Sequence, residues 1–208
     1  LTEREPLESS FPIIVIRDRK SDTTFAHVVP RKGVNEHAVS RVAQDIKNNL
    51  GYDNIILKSD QEPSILALND SIARQLRTEG ITVKMEQSPV GESQSNGDVE
   101  AAIKMIEGRF RTVRLHLEFR LKRKITEASM IVPWMLRHCA ETYNRFKIGK
   151  DGMTARQRTR GRKFKGLYVE FGECVFYLKP KSKGVEKLYE SRWESGIWLG
   201  IREESGET

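Results

Sequence analysis

Two acidic residues hold positions from which they could do chemistry. Asp60 ends the apolar run NIILKSD (54–60), and Glu100 opens the helical pattern that follows SPVGESQSNGD (88–98). Open α/β sheets bind ligands beyond the carboxyl ends of their strands, which is where Asp60 falls. Carboxylates held about 4 Å apart repel by roughly 4 kcal/mol at an effective dielectric near 20. A divalent cation removes that cost, and Mg²⁺ takes carboxylate and water oxygens with substrate phosphate completing its shell. Two such ions about 3.5–4 Å apart activate a water or a 3′-hydroxyl and stabilise the leaving oxygen of an in-line displacement at phosphorus. Each acid alone also has a purely structural reading. Glu100 in a first helical turn favours the helix dipole by about 0.3–1 kcal/mol, and Asp60 could cap a helix ahead of Pro63.

Behind Glu100 the same face turns basic. Glu100, Lys104, Glu107, Arg111 and Arg114 form one stripe, a residue round from the apolar stripe Val99, Ile103, Ile106, Phe110, Val113 and Leu117. Cations so placed suit a phosphodiester backbone, with Lys104 one turn after Glu100 and Arg111 and Arg114 beyond it. On a merely solvated face, Glu107 would instead pair with Lys104 or Arg111 for a few tenths of a kcal/mol. Gln94, Asn96 and Gly97 lie in the polar loop ahead of the helix, either touching substrate or supplying turn chemistry.

These residues need elements to hold them. FPIIVIRD (11–18) and DTTFAHVV (22–29) read as strands joined by a hairpin turn. Ala38, Val39, Val42, Ile46 and Leu50 recur at helical spacing from Asn35 to Gly51. NIILKSD reads as a buried parallel strand, Pro63 to Gly80 as a helix with Ile65, Leu68, Ile72 and Leu76 inward, and ITVKME (81–86) as a further strand. Strand, strand, helix, strand, helix, strand argues for an α/β layer with a mixed sheet. A helix fits 130–146, with Val132, Leu136, Cys139, Ala140 and Tyr143 inward. Residues 147–165 read as a basic linker. The aromatic and β-branched texture of 166–208 reads as a small β domain, apparently cut short.

Composition narrows the partners. The 208 residues carry a net charge of +7 and are 31% charged, and the isoelectric point is about 9.4. The excess is local. Residues 109–124 hold seven Lys or Arg and one acid, and residues 156–165 hold six and none. Such a balance favours a polyanion, usually nucleic acid. RLKRK (120–124) and RTRGRK (158–163) fit DNA-backbone or nuclear-import patches as well as a solvated surface. No apolar run reaches the ~20 residues of a membrane span. The polar start is no secretory signal, and the absent initiating Met points to a piece of a longer chain. Cys139 and Cys174 have no metal-knuckle spacing and read as small buried residues, and the four His show no zinc-ligand spacing. Trp134, Trp193 and Trp198, in apolar surroundings, read as core rather than as base-stacking platforms.

SDQEPSI (59–65) and SPVGESQSNGDVEAAIK (88–104) resemble the second and third acidic blocks of retroviral-type integrases, closest to those of copia-type LTR retrotransposons. PWMLRHCAETYNR (133–145) resembles that family's next helix. FGECVFYL and SRWESGIWLGI, within 171–201, resemble the small β-barrel that follows its core. The resemblance implies a ribonuclease H-like mixed sheet flanked by helices over 1–146, a linker over 147–165, and an incomplete β-barrel-like domain over 166–208. It implies a polynucleotidyl transferase that trims a DNA 3′ end and joins the 3′-hydroxyl to target DNA. Asp60 and Glu100 would be catalytic and ligate Mg²⁺ or Mn²⁺, and Lys104 would touch the DNA end. The partners implied are element and target DNA and further copies of the chain, with the nucleus as the place of action after a cytoplasmic particle. The family's first of three acids normally sits on the strand before IIVIRD, where this sequence begins too late to show it. Asp18 ends the neighbouring strand and reads as a solvated strand-end acid. Two other readings stay open: a basic DNA-binding module without catalysis, and a ribonuclease H-like nuclease that cleaves without joining.

Overall fold

The computed structural model describes residues 11–87, 96–178 and 191–201. Strands β1 (Ile13–Arg17) and β2 (Thr24–Val28) form an antiparallel hairpin, Ile13 opposite Val28 and Arg17 opposite Thr24. Helix α1 (Glu36–Gln44) starts where Asn35 Oδ1 accepts the Ala38 N–H at 2.8 Å. It runs on into a π-helical stretch, Asp45–Leu50, which ends at Gly51 in the left-handed conformation (φ 67°). A residue without Cβ is suited to that conformation. β3 (Asn54–Ser59) and β4 (Thr82–Gln87) pair in parallel, joined by α2 (Pro63–Thr78). The long helix α3 (Gly97–Leu121) and then α4 (Val132–Phe146) follow.

Both kinds of pairing expected of a mixed sheet occur, but among the described residues they stay in separate two-stranded sheets. The sheets share one core. Ile14 and Ile16 of β1 and Ile55 and Leu57 of β3 pack against the same cluster as Val42 and Ile46, and Ile72 and Leu76 of α2. The expectation that β3 is buried on both faces does not hold, since Ile56 is 60% exposed. β3 has one hydrogen-bonded neighbour, and α3 lies mainly against β1 and α4. A second cluster joins Ala26 of β2, Ile106 of α3 and Leu136, Cys139 and Ala140 of α4. Of the apolar stripe read on α3, Ile106 and Leu117 are fully buried and the rest are half-buried.

The segment read as a linker contains a short helix. α5 (Ala155–Arg160) opens on a capping box in which Gln157 N–H donates to Thr154 Oγ1 and Thr154 N–H to Gln157 Oε1. Arg158 donates to Ser21 O at 3.0 Å and pairs with Asp151 and Asp22, so α5 is tied to the hairpin turn. β5 (Cys174–Leu178) and β6 (Trp193–Ile197) form an antiparallel hairpin. Phe171 at its base is buried beside Leu117 and Met135, which joins the β segment to the helices.

Two readings of apolar residues are corrected. Trp134 and Trp193 are 48% and 55% exposed, not core, while Trp198 is half-buried. Cys139 is buried as expected, but Cys174 is exposed. The reason is shared by Trp193 and Cys174: they sit on a two-stranded hairpin, which cannot cover both of its own faces. No helix among the described residues is long and apolar enough to cross a membrane.

Candidate functional site

Asp60 follows the last residue of β3 and is exposed. Its Oδ1 accepts the N–H of Gln61 at 2.8 Å, and Ser59 Oγ donates to its carbonyl oxygen at 3.1 Å. It does not cap α2: the cap position is Glu62, whose own carboxylate accepts from Ser64 Oγ at 2.6 Å. Lys58 and Glu86 pair at 3.3 Å across β3 and β4 beside it, and Lys32 approaches Glu62 at 3.8 Å. The Asp60 end of β3 therefore adjoins the open end of the β1–β2 hairpin.

Glu100 stands exposed in the first turn of α3, with Asp98. That turn is tied to the hairpin by an ion pair between Arg19 and Asp98 at 2.9 Å. A cleft of about 440 Å³ opens between them, lined by Arg17, Arg19, Asp22, Asp98, Ala101 and Tyr143 among others. The guanidinium groups of Arg17 and Arg109 lie 5.5 and 5.4 Å from the centre of the Tyr143 ring. Lys104 and Arg111 are exposed on the same helix, and Arg111 approaches Glu107 only at 4.0 Å. Arg114 departs from the stripe. It is half-buried and turned toward Glu118, with Nε 3.8 Å from the carboxylate. Glu118 itself closes the end of α3, accepting from the Ile125 N–H at 2.9 Å and from Lys124 Nζ at 3.1 Å. The Ile125 hydrogen bond and the neighbouring Lys124 hold its carboxyl below the usual range. Asn96 precedes α3, Gly97 begins it, and Gln94 lies outside the described residues.

Carboxylate oxygens are the donor type that Mg²⁺ prefers. Their number falls short. Among the described residues no three His, Cys, Asp or Glu side chains lie close enough together to hold a metal ion. Asp18 does not supply the third. Its Oδ2 accepts from Ser21 N–H at 2.9 Å, Ser21 Oγ at 2.5 Å and Tyr52 Oη at 2.9 Å. Burial, with Asp18 second, pushes the Tyr52 phenol up to about 12. Tyr52 leads into β3 whereas Asp60 leaves it, and a six-residue strand spans about 20 Å at its usual rise. Asp18 is thus a turn-forming acid at the other end of the layer from Asp60. Glu100, whose turn is tied to Arg19 of that same hairpin turn, lies at Asp18's end, so the structure does not bring Asp60 and Glu100 together.

Several structural contacts had no local signal in the sequence. Asn144 of α4 clamps the free edge of β2 as a strand would: Thr24 N–H donates to its Oδ1 at 2.9 Å and its Nδ2 donates to Thr24 O at 2.8 Å. His27 Nε2 lies 2.5 Å from Asp45 Oδ2, and Asn49 Nδ2 donates to the other carboxylate oxygen at 3.1 Å. His138 is buried against Phe171, ring centres 5.2 Å apart. Burial, with Arg145 and Arg109 nearby, pushes its imidazole down to about 4.

No protein-family model and no curated protein matches the chain. Solved structures do. One is a simian T-cell lymphotropic virus intasome in complex with PP2A regulatory subunit B56 gamma, with a TM-score of 0.52 and 16% identity. The match covers 90% of this chain and 61% of that one, so this chain spans about three fifths of its length. Another is the catalytic core domain of BIV integrase, with a TM-score of 0.46, 22% identity, and coverage of 71% and 84%. At such identities the likeness speaks to fold alone: the chain is a mixed α/β protein with an integrase-like fold.

Proposed function

We propose that this chain is the core of a DNA integrase of the kind encoded by copia-type LTR retrotransposons. The carrying observation is an integrase-like fold whose long helix α3 presents Lys104 and Arg111 to solvent behind Glu100. In this reading Asp60 and Glu100 would belong to an Asp-Asp-Glu set for Mg²⁺ or Mn²⁺, which when bound supplies the charge for phosphoryl transfer; Asp60 adjoins the open end of the β1–β2 hairpin and Glu100 its turn, so the two do not form one site in this structure. Because these acids are not assembled among the described residues, no step is assigned to the metal. The chain's own contribution is to hold DNA. Lys104 and Arg111 face solvent one and three turns beyond Glu100 and suit phosphates of a DNA backbone, and Asn96 and Gly97 lie at the mouth of the helix. The reaction would be trimming and joining of element 3′ ends to target DNA, by several copies of the chain, in the nucleus.

A second reading rests on the separation of Asp60 from Glu100: a basic module that binds DNA without joining it. One experiment separates the two. A short duplex with a recessed 3′-hydroxyl is incubated with supercoiled plasmid and the chain, in Mg²⁺ or Mn²⁺. Joined products that vanish in Asp60→Asn and Glu100→Gln support the integrase. Salt-sensitive binding to the duplex without joining leaves the binding module. Absence of both binding and joining removes both readings.

A further inference from the structure

The outer edge of β2 carries buried backbone groups that the protein leaves open. Val29 N–H donates to Pro12 O at 2.8 Å, so the alternate residues His27 and Phe25 bond to β1, while Thr24, Ala26 and Val28 turn their N–H and C=O groups away from it. Asn144 takes both groups of Thr24. Those of Ala26 make no hydrogen bond among the described residues, although Ala26 is only 1% exposed. Buried backbone groups are nearly always paired, with water or an ion where the chain itself supplies nothing.

Ala26 lines a cavity of about 50 Å³ between β2, the π-helical stretch, α4 and α5. Arg137, Arg156 and Arg160 line it, against two carboxylates, Asp45 and Glu141. Both carboxylates are already held: Asp45 by His27 at 2.5 Å and Asn49 at 3.1 Å, Glu141 by Arg137 at 2.6 Å and Arg145 at 3.4 Å. With Arg145, four guanidiniums stand against two carboxylates. Arg160, the last residue of α5, approaches Asn49 Oδ1 at 3.5 Å and no carboxylate among the described residues. Water would pair with Ala26 but leave the excess charge, whereas an anion answers both. The volume holds roughly three or four waters, enough for one tetrahedral oxyanion and too little for a nucleotide.

We propose that this cavity binds phosphate, as the free monohydrogen anion or as the terminal phosphate of a monoester. Ala26 N–H and the guanidiniums donate to its oxygens, and a hydroxyl of the free anion donates to Ala26 O. Sulfate has the same shape and charge but no proton at neutral pH, so it leaves a buried carbonyl unpaired and binds more weakly. A phosphodiester of a DNA backbone also lacks that proton. The bound anion touches β2, α4 and α5, and so holds α5 against the hairpin. The site shares no residue with Asp60, Glu100 or the basic stripe of α3, and does not rest on the integrase reading.

The test is thermal melting of the full 208-residue chain near neutral pH, in phosphate, sulfate or chloride of equal ionic strength. Expected is a rise of about 2–4 °C in millimolar phosphate, with an apparent affinity at least about tenfold above that for sulfate. Arg160→Gln, at an exposed position, should weaken phosphate about tenfold, and its melting point in chloride reports whether it folds. Lys163→Gln makes the same charge change outside the cavity and should leave the affinity unchanged. In the wild-type chain the Ala26 amide must exchange its hydrogen several-fold more slowly with phosphate bound, a readout that needs no variant. Displacement of inorganic phosphate by glycerol 3-phosphate assigns the cavity to a monoester, and no displacement assigns it to the free anion. A melting point that phosphate does not raise, sulfate equal to phosphate, equal losses in Arg160→Gln and Lys163→Gln, or an Ala26 amide indifferent to phosphate overturns the proposal.

Discussion

His138 gives the fold a built-in sensitivity to acid. Its ring is 7% exposed, packed on Phe171, and faces Arg145 and Arg109. The imidazolium is disfavoured there, so the pKa falls from 6.5 to about 4. The unfolded chain, with an ordinary imidazole, takes up the proton first. Stability from this residue is therefore intact above about pH 6.5 and is lost as the pH falls toward 4. The full difference is about 3 kcal/mol, of which about 2 kcal/mol is lost between pH 7.5 and pH 5. Urea unfolding of wild type and His138→Leu at those two pH values isolates it. Leu is of similar size and does not titrate, and the other His residues are common to both chains. The wild-type midpoint should drop by about 1 M urea more than that of the variant. An equal drop in both chains would show that His138 is protonated as readily in the folded state as outside it, and the burial argument would fail.

Asn144→Ala removes both bonds to the Thr24 backbone, which is fully buried, and should cost about 2–4 kcal/mol in urea unfolding. Asn144→Asp keeps the acceptor for Thr24 N–H but sets a carboxylate oxygen against Thr24 O in a buried site, and should recover none of that loss at neutral pH. On the basic stripe, Lys104→Ala and Arg111→Ala should each flatten the log–log salt dependence of duplex binding by up to about one unit. Arg114→Ala should leave that slope unchanged, because its guanidinium is directed at Glu118; a slope lowered equally by all three would place Arg114 on the DNA.

The amino-acid pattern alone determined the element types and most of their limits from β1 to α4, but not α5, which lies in the segment read as a linker. Asn35 and Gly51 bound the first helical run, Pro63 opens α2, and the four-and-three stepping from Val99 to Leu117 marks α3, because capping, ring constraints and helical period act over a few residues. It also put Asp60 at a strand end and Glu100 in a first turn. Tertiary structure decided what those local rules do not reach. Arg114 has the spacing of a DNA contact, yet a carboxylate four residues on takes it inward. Asp18 has the look of a strand-end ligand, yet Tyr52 and the turn claim it. Asn144 and His138 occupy an ordinary helical pattern, and their roles come from β2 and Phe171, 120 and 33 residues away in sequence (144 − 24 and 171 − 138). Whether Trp193 and Cys174 are core or surface depends on how many strands lie beside and above them. Burial is a sum over neighbours distant in the chain, and a local pattern records the preference of a side chain for cover but not whether cover is there.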